Sequence, residues 1–144
     1  MSEPVLDLSA LRGAITSLEG ALETVGDRAW FDGQSPNVQN TLMAGAIQNF
    51  EFVYELGIKM IRRQIELDSD SPDEVDQTNF RDMLRIAAEK GLITDVEAWF
   101  YYRKMRNVSA HTYDHAKAKE VYRDTLTFIN DARALLAKLE ARND

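Results

Sequence analysis

The sequence predicts an all-α fold, an antiparallel up-and-down bundle of four to five helices forming a single domain over 1–144. Three observations carry this. Apolar residues recur at steps of three and four through most of the chain, which is the spacing of one helix face. Capping and breaking residues fall between those periodic stretches. No run alternates apolar with polar residues as a half-buried strand would. A chain of 144 residues, 44% of them hydrophobic, is also long enough to bury a sizeable core.

Leu8, Leu11, Ile15, Leu18, Leu22 and Val25 mark the inward face of a first helix, which Gly26 stops. Trp30 and Phe31 follow in a linker and are expected to plug the bundle end. Ser35-Pro36 is a strong start signal, a hydroxyl to cap and then proline at the first helical position. The helix it opens runs to about Leu67, roughly 45 Å, with Val38, Leu42, Ala46, Phe50, Val53, Leu56, Met60, Ile61 and Ile65 inward. An acidic, proline-containing loop spans 68–76. A third helix carries Phe80, Met83, Leu84 and Ala87 and ends at Gly91, a left-handed cap. Thr94-Asp95-Val96-Glu97 reads as a capping box, so a fourth helix starts at Asp95. In its run Trp99, Phe100, Tyr101 and Tyr102, successive positions turn by about 100°, so the four cannot share a core. Trp99 and Phe100 are expected inside, and Tyr101 or Tyr102 outside, at an interface. The last helix begins near Asp114 and ends near Ala141.

Composition narrows the function classes. There is no cysteine, which fits a cytoplasmic protein and excludes a thiolate metal site. No apolar run reaches the roughly 20 residues of a membrane span, and no signal peptide is expected at the N-terminus. The net charge of −7 argues against a nonspecific nucleic-acid binder. Yet from 103 to 123 six basic residues face two acids, a local excess suited to a structured RNA end. Mixed charge on a solvated helix explains the same residues equally well.

That basic segment contains Arg106-Asn107-Val108-Ser109-Ala110-His111-Thr112-Tyr113-Asp114. His111 is one of only two histidines. An imidazole moves protons near neutral pH, and a guanidinium matches a phosphate with paired donors. On an unbroken helix Arg106 and His111 would lie about 140° apart. Asn107 and Ser109 are poor helix formers, so Arg106 is placed at a helix end and His111 in the turn, where both can face one cleft. From the residues alone a second reading stands beside this one: Arg106 as a helix-terminus ion pair and His111 as an interhelical hydrogen-bonding residue.

The Arg-x4-His-x-Tyr pattern resembles the signature of HEPN proteins that pair with minimal nucleotidyltransferases, also known as nucleotidyltransferase substrate-binding proteins. Phe50-Glu51-Phe52, Glu55-Leu56, Lys59 and Leu92 to Trp99 extend the resemblance over about 8–139. It implies a HEPN-like bundle that forms a homodimer, with its two motifs facing each other, beside a separately encoded nucleotidyltransferase. It implies a metal-independent ribonuclease toxin without a cofactor, acting on RNA, with tRNA a plausible substrate, and leaving a 2′,3′-cyclic phosphate. His111 would be the acid/base residue, Arg106 would stabilise the phosphorane, and Asn107 would orient the phosphate or the arginine. Arg103, Lys104 and Ser109 are the candidate substrate-binding residues. Tyr113 would accept AMP from the transferase, which blocks the cleft; otherwise it is an ordinary half-buried aromatic. Two alternatives stay open, a noncatalytic module that presents a substrate to the transferase and a purely structural dimerisation partner.

Other spacings carry less. His111 and His115 form H-x3-H, but a helix start falls between them and the usual glutamate is missing, so no metal site is assigned. The carboxylates of 68–76 lack the glycine and the twelfth-position glutamate of an EF-hand. They also lack the Gly-Ser of a nucleotidyltransferase, so the chain is not itself the transferase.

Overall fold

The computed structural model describes residues 5–111 and 114–143, with the side chains of Asp76 and His111 set aside. The described residues form seven α-helices: α1 (Ser9–Gly26), α2 (Arg28–Phe31), α3 (Pro36–Asp68), α4 (Pro72–Asp76), α5 (Phe80–Glu89), α6 (Val96–Val108) and α7 (His115–Asn143). A 3-10 turn, Ser109–His111, continues α6. Five of the helices are long, as the periodicity predicts, and α2 and α4 are single turns.

Among α1, α3, α6 and α7, consecutive helices run antiparallel. Arg12 meets Glu140 and Glu19 meets Arg133, so α1 and α7 run in opposite directions. Gly57 lies against both Leu135 and Trp99, and Gln64 bonds Asn143 at 2.7 Å, so α3 and α7 run side by side in one direction. They are the diagonal pair of an up-down-up-down bundle. The centre is an aromatic cluster where α3, α6 and α7 cross. Phe128 meets Phe50 at 4.9 Å and Tyr102 at 4.9 Å, both edge-on, and Trp99 at 6.0 Å. Each buried ring contributes roughly 1.5–3 kcal/mol through area removed from water.

The start and stop signals act largely as written. Ser35 accepts from the Val38 amide at 3.3 Å and Asn79 from the Asp82 amide at 2.9 Å. Gly91 adopts φ +78°, and the Leu92 and Gly91 amides bond the carbonyls of Ala87 and Ala88. That closes α5 in a Schellman motif, which requires a residue without a Cβ penalty in the left-handed region.

Five expectations need correction. Asp95, not Thr94, caps α6: its carboxylate accepts from the Ala98 amide at 3.1 Å, and the helix begins at Val96. Trp30 does not plug the bundle end; it is 45% exposed, and only Phe31 turns inward. Within the aromatic run Trp99 and Tyr102 are the buried pair, three residues apart on one face, while Phe100 is half-buried and Tyr101 exposed. Val38 is 40% exposed and Leu42 half-buried, because the first turns of α3 extend past the aromatic centre. The 68–76 segment is no plain solvated loop either. Val75 is buried and its carbonyl accepts from Arg62, while Asp68 pairs with Arg142 at 3.3 Å and accepts from Gln64 at 3.0 Å. No helix of the described residues is long and apolar enough to cross a membrane.

Candidate active site

The packing of α6 against α3 sets the site. Trp99, Tyr102 and Met105 are buried on one face of α6, which fixes the helix's rotation. Arg106 then emerges beside α3 in the last turn. Its Nη1 lies 2.6 Å from Glu51 Oε2 and its Nε donates to Glu55 Oε1 at 3.0 Å. Glu51 and Glu55 are four apart, stacked on one face of α3, so the two carboxylates hold the guanidinium plane from one side. Nη2 takes part in neither contact, which leaves its donors for an incoming anion. Tyr54, buried between the two glutamates in sequence, has its phenol pushed up to about 12 by burial, against the opposing pull of the Arg103 and Arg106 charges.

Ser109 is buried, and its hydroxyl donates to the Arg106 carbonyl at 2.7 Å. This bond closes the end of α6, so Ser109 works on the backbone that carries Arg106 and Asn107. Asn107 is exposed, and its amide is uncommitted among the described residues. His111 follows at the end of the 3-10 turn, where its backbone is described and its side chain is not. Tyr113 lies outside the described residues. Beyond it Asp114 accepts from the Ala116 and Lys117 amides at 3.0 and 3.3 Å and so caps α7.

The other basic candidates divide between two faces. Arg103 shares the side of α6 with Arg106 and Asn107, and its guanidinium lies 4.3 Å from the centre of the Phe80 ring. Lys104 is turned roughly 160° from Arg106 and lines a hollow with Tyr101, Glu120 and Asp124. There the Tyr101 hydroxyl donates to Asp124, which pushes the phenol up to about 12. His115 is exposed in the first turn of α7. Among the described residues no group of His, Asp or Glu side chains is arranged to hold a metal ion.

Glu51 and Glu55 are the site residues that sequence reasoning missed. Both belong to the segments that resemble the family, but their partner lies more than fifty residues away in the chain. No periodicity reveals such a pairing. Chemically the arrangement offers a fixed, partly exposed guanidinium at a helix end and, beside it, an amide uncommitted among the described residues.

Comparison with known proteins bears on what this site does. The family model described as "Nucleotidyltransferase substrate binding protein like" matches residues 6–141. A probable ribonuclease HepT of Haemophilus influenzae is 46% identical over 138 residues, covering 96% of this chain and 94% of that protein. A solved Haemophilus influenzae structure, described as revealing the fold of a substrate-binding domain of a nucleotidyltransferase, superposes with a TM-score of 0.91 at 46% identity. It covers 93% of this chain and 99% of its own.

Proposed function

Because the chain belongs to the nucleotidyltransferase substrate-binding protein family, of the HEPN type, we propose that it is a metal-independent endoribonuclease silenced by a partner nucleotidyltransferase. The observation that carries the reading is the clamp on Arg106: Glu51 and Glu55 fix the guanidinium at the head of the segment that bears His111. Scaffolding alone needs no oriented arginine there.

The reaction transfers a phosphoryl group within RNA. The ribose 2′-oxygen attacks the adjacent phosphorus, and its proton passes to a neutral His111. The bond from phosphorus to the 5′-oxygen breaks, and that oxygen takes a proton from a protonated imidazole. The product ends are a 2′,3′-cyclic phosphate and a 5′-hydroxyl. One imidazole cannot hold both protonation states at once, so the active unit is a homodimer with one His111 in each state. Arg106 stabilises the charge that builds on the equatorial oxygens, and Asn107 orients the phosphate. Arg103 and Lys104 sit on different faces of α6, so Arg103 belongs with this phosphate and Lys104 with a more distant part of the RNA. Tyr113, two residues past His111, accepts AMP, and the added charge repels RNA. The protein acts in the cytoplasm, with tRNA the leading substrate.

The test is incubation of purified protein with total tRNA in EDTA, wild type beside His111→Ala, on a denaturing gel. Cleavage by the wild type alone is expected. Equal cleavage by both removes His111 from the chemistry. The second reading, a noncatalytic module that presents a substrate to the transferase, draws on the net charge of −7 and on the description of the solved relative as a substrate-binding domain. Inactive wild type, shown by mass spectrometry to carry no AMP, would favour it.

A further inference from the structure

A cavity of about 90 Å³ opens between α2, the start of α3 and the first turns of α7. Phe31, Met43 and Ala118 make an apolar floor, and Asn40, His115 and Lys119 make a polar rim. The three rim side chains are exposed and engage in no hydrogen bond or ion pair among the described residues. Among the described residues no carboxylate lines the cavity, on a chain whose net charge is −7. Neighbouring hollows differ: Glu23 and Asp27 line the one at the end of α1, and Glu120 and Asp124 the one between α6 and α7. An anionic ligand is repelled there and admitted here.

The cavity's place ties it to the motif. Asn40 and Ala44 lie on the face of α3 that carries Glu51 and Glu55. Ala44 precedes Glu51 by about 10 Å along the helix axis. On the other wall His115 opens α7, just past the segment that bears His111 and Tyr113 in sequence. In sequence, Arg106 and His115 of the cavity rim therefore bracket that segment. A water's share of liquid volume is about 30 Å³, so the space is on the order of three waters and admits a single small ring at most.

We propose that this cavity is a nucleobase subsite for the RNA strand whose phosphate lies at Arg106. The ring lies against Phe31 and Met43, the Asn40 amide meets the base edge, and Lys119 and His115 meet the sugar-phosphate outside. Apolar contact with the ring face plus hydrogen bonds at its edge is how unstacked bases are held. The assignment rests on the ribonuclease reading above.

Amide NMR titration of the whole protein with AMP, GMP, CMP and UMP in turn tests it, with ribose 5-phosphate as control and RNA cleavage measured on the same samples. Shifts at Asn40, Ala44 and Ala118 are expected with at least one nucleotide and not with ribose 5-phosphate. Ala44→Leu, which fills the cavity from an exposed helical position, and Asn40→Ala should each weaken that binding about tenfold. Absence of shifts there with every nucleotide overturns the subsite, as do equal shifts with ribose 5-phosphate or undiminished binding in both variants. Cleavage without nucleotide binding here removes the subsite and leaves the ribonuclease. Binding here by wild type that carries no AMP and cleaves no RNA does the reverse: the ribonuclease reading falls and the cavity stands as a nucleobase site alone.

Discussion

Arg106 carries two roles at once, a structural ion pair and a candidate phosphate ligand, and its surroundings show how both can hold. Glu51 is 23% exposed and Glu55 54%, so the pair with Glu51 is the better shielded and the more rigid. Both remain wet enough that their contribution to stability is only about 0.2–1 kcal/mol each. Their larger effect is on where the guanidinium points. Arg106→Ala should therefore cut cleavage about 100- to 1000-fold. Glu51→Gln should cut it about tenfold, more than Glu55→Gln, with thermal unfolding nearly unchanged. Equal activity of Glu51→Gln and wild type would show that the clamp does not orient the arginine. At Tyr113, phenylalanine should leave cleavage intact and resist silencing by the transferase; a silenced Tyr113→Phe protein would place the modification elsewhere.

At the scale of elements, α6 carries the site because its inner face is committed. Trp99, Tyr102 and Met105 lock its rotation against α3 and α7, and the buried Tyr102 hydroxyl donates to Asp131 on α7. Trp99 and Leu135 both close on α3 at Gly57, where a Cβ would stand 3.4 Å from Leu135 and 3.9 Å from Trp99, ordinary van der Waals contact. Trp99→Ala should cost about 3–5 kcal/mol in urea unfolding, since the rings around it cannot collapse into the gap. It should also lower cleavage by freeing α6 to rotate. A loss under about 1 kcal/mol would mean that the aromatic centre does not hold α6.

For the whole molecule, the tyrosines set an alkaline limit. Tyr54 and Tyr101 are held up to about 12, by burial and by the Asp124 hydrogen bond respectively, and burial drives Tyr102 higher still. An unfolded phenol ionises near pH 10, so all three favour the folded state while neutral. Their contribution is complete below about pH 10 and is lost as pH rises through about 12. Tyr101, the exposed one, adds least. Stability to urea should be flat up to about pH 10 and then fall, with phenolate absorbance appearing together with unfolding. Full phenolate signal at pH 11 in a still folded protein would contradict this.

Helix faces, caps and the all-α class are local properties of the sequence. Steps of three and four, Ser35-Pro36 and Gly91 act within a few residues of themselves, so the five long helices could be read directly. The motif was legible too, since Arg106, Asn107 and His111 lie within one short segment. What only the tertiary structure decided is pairing at long range. The clamp of Glu51 and Glu55 on Arg106, the inward turn of Tyr102 in place of Phe100, and the cavity between α3 and α7 each join residues far apart in sequence. Such contacts follow from how whole helices rotate and cross, which the burial of every face settles together and no single segment encodes.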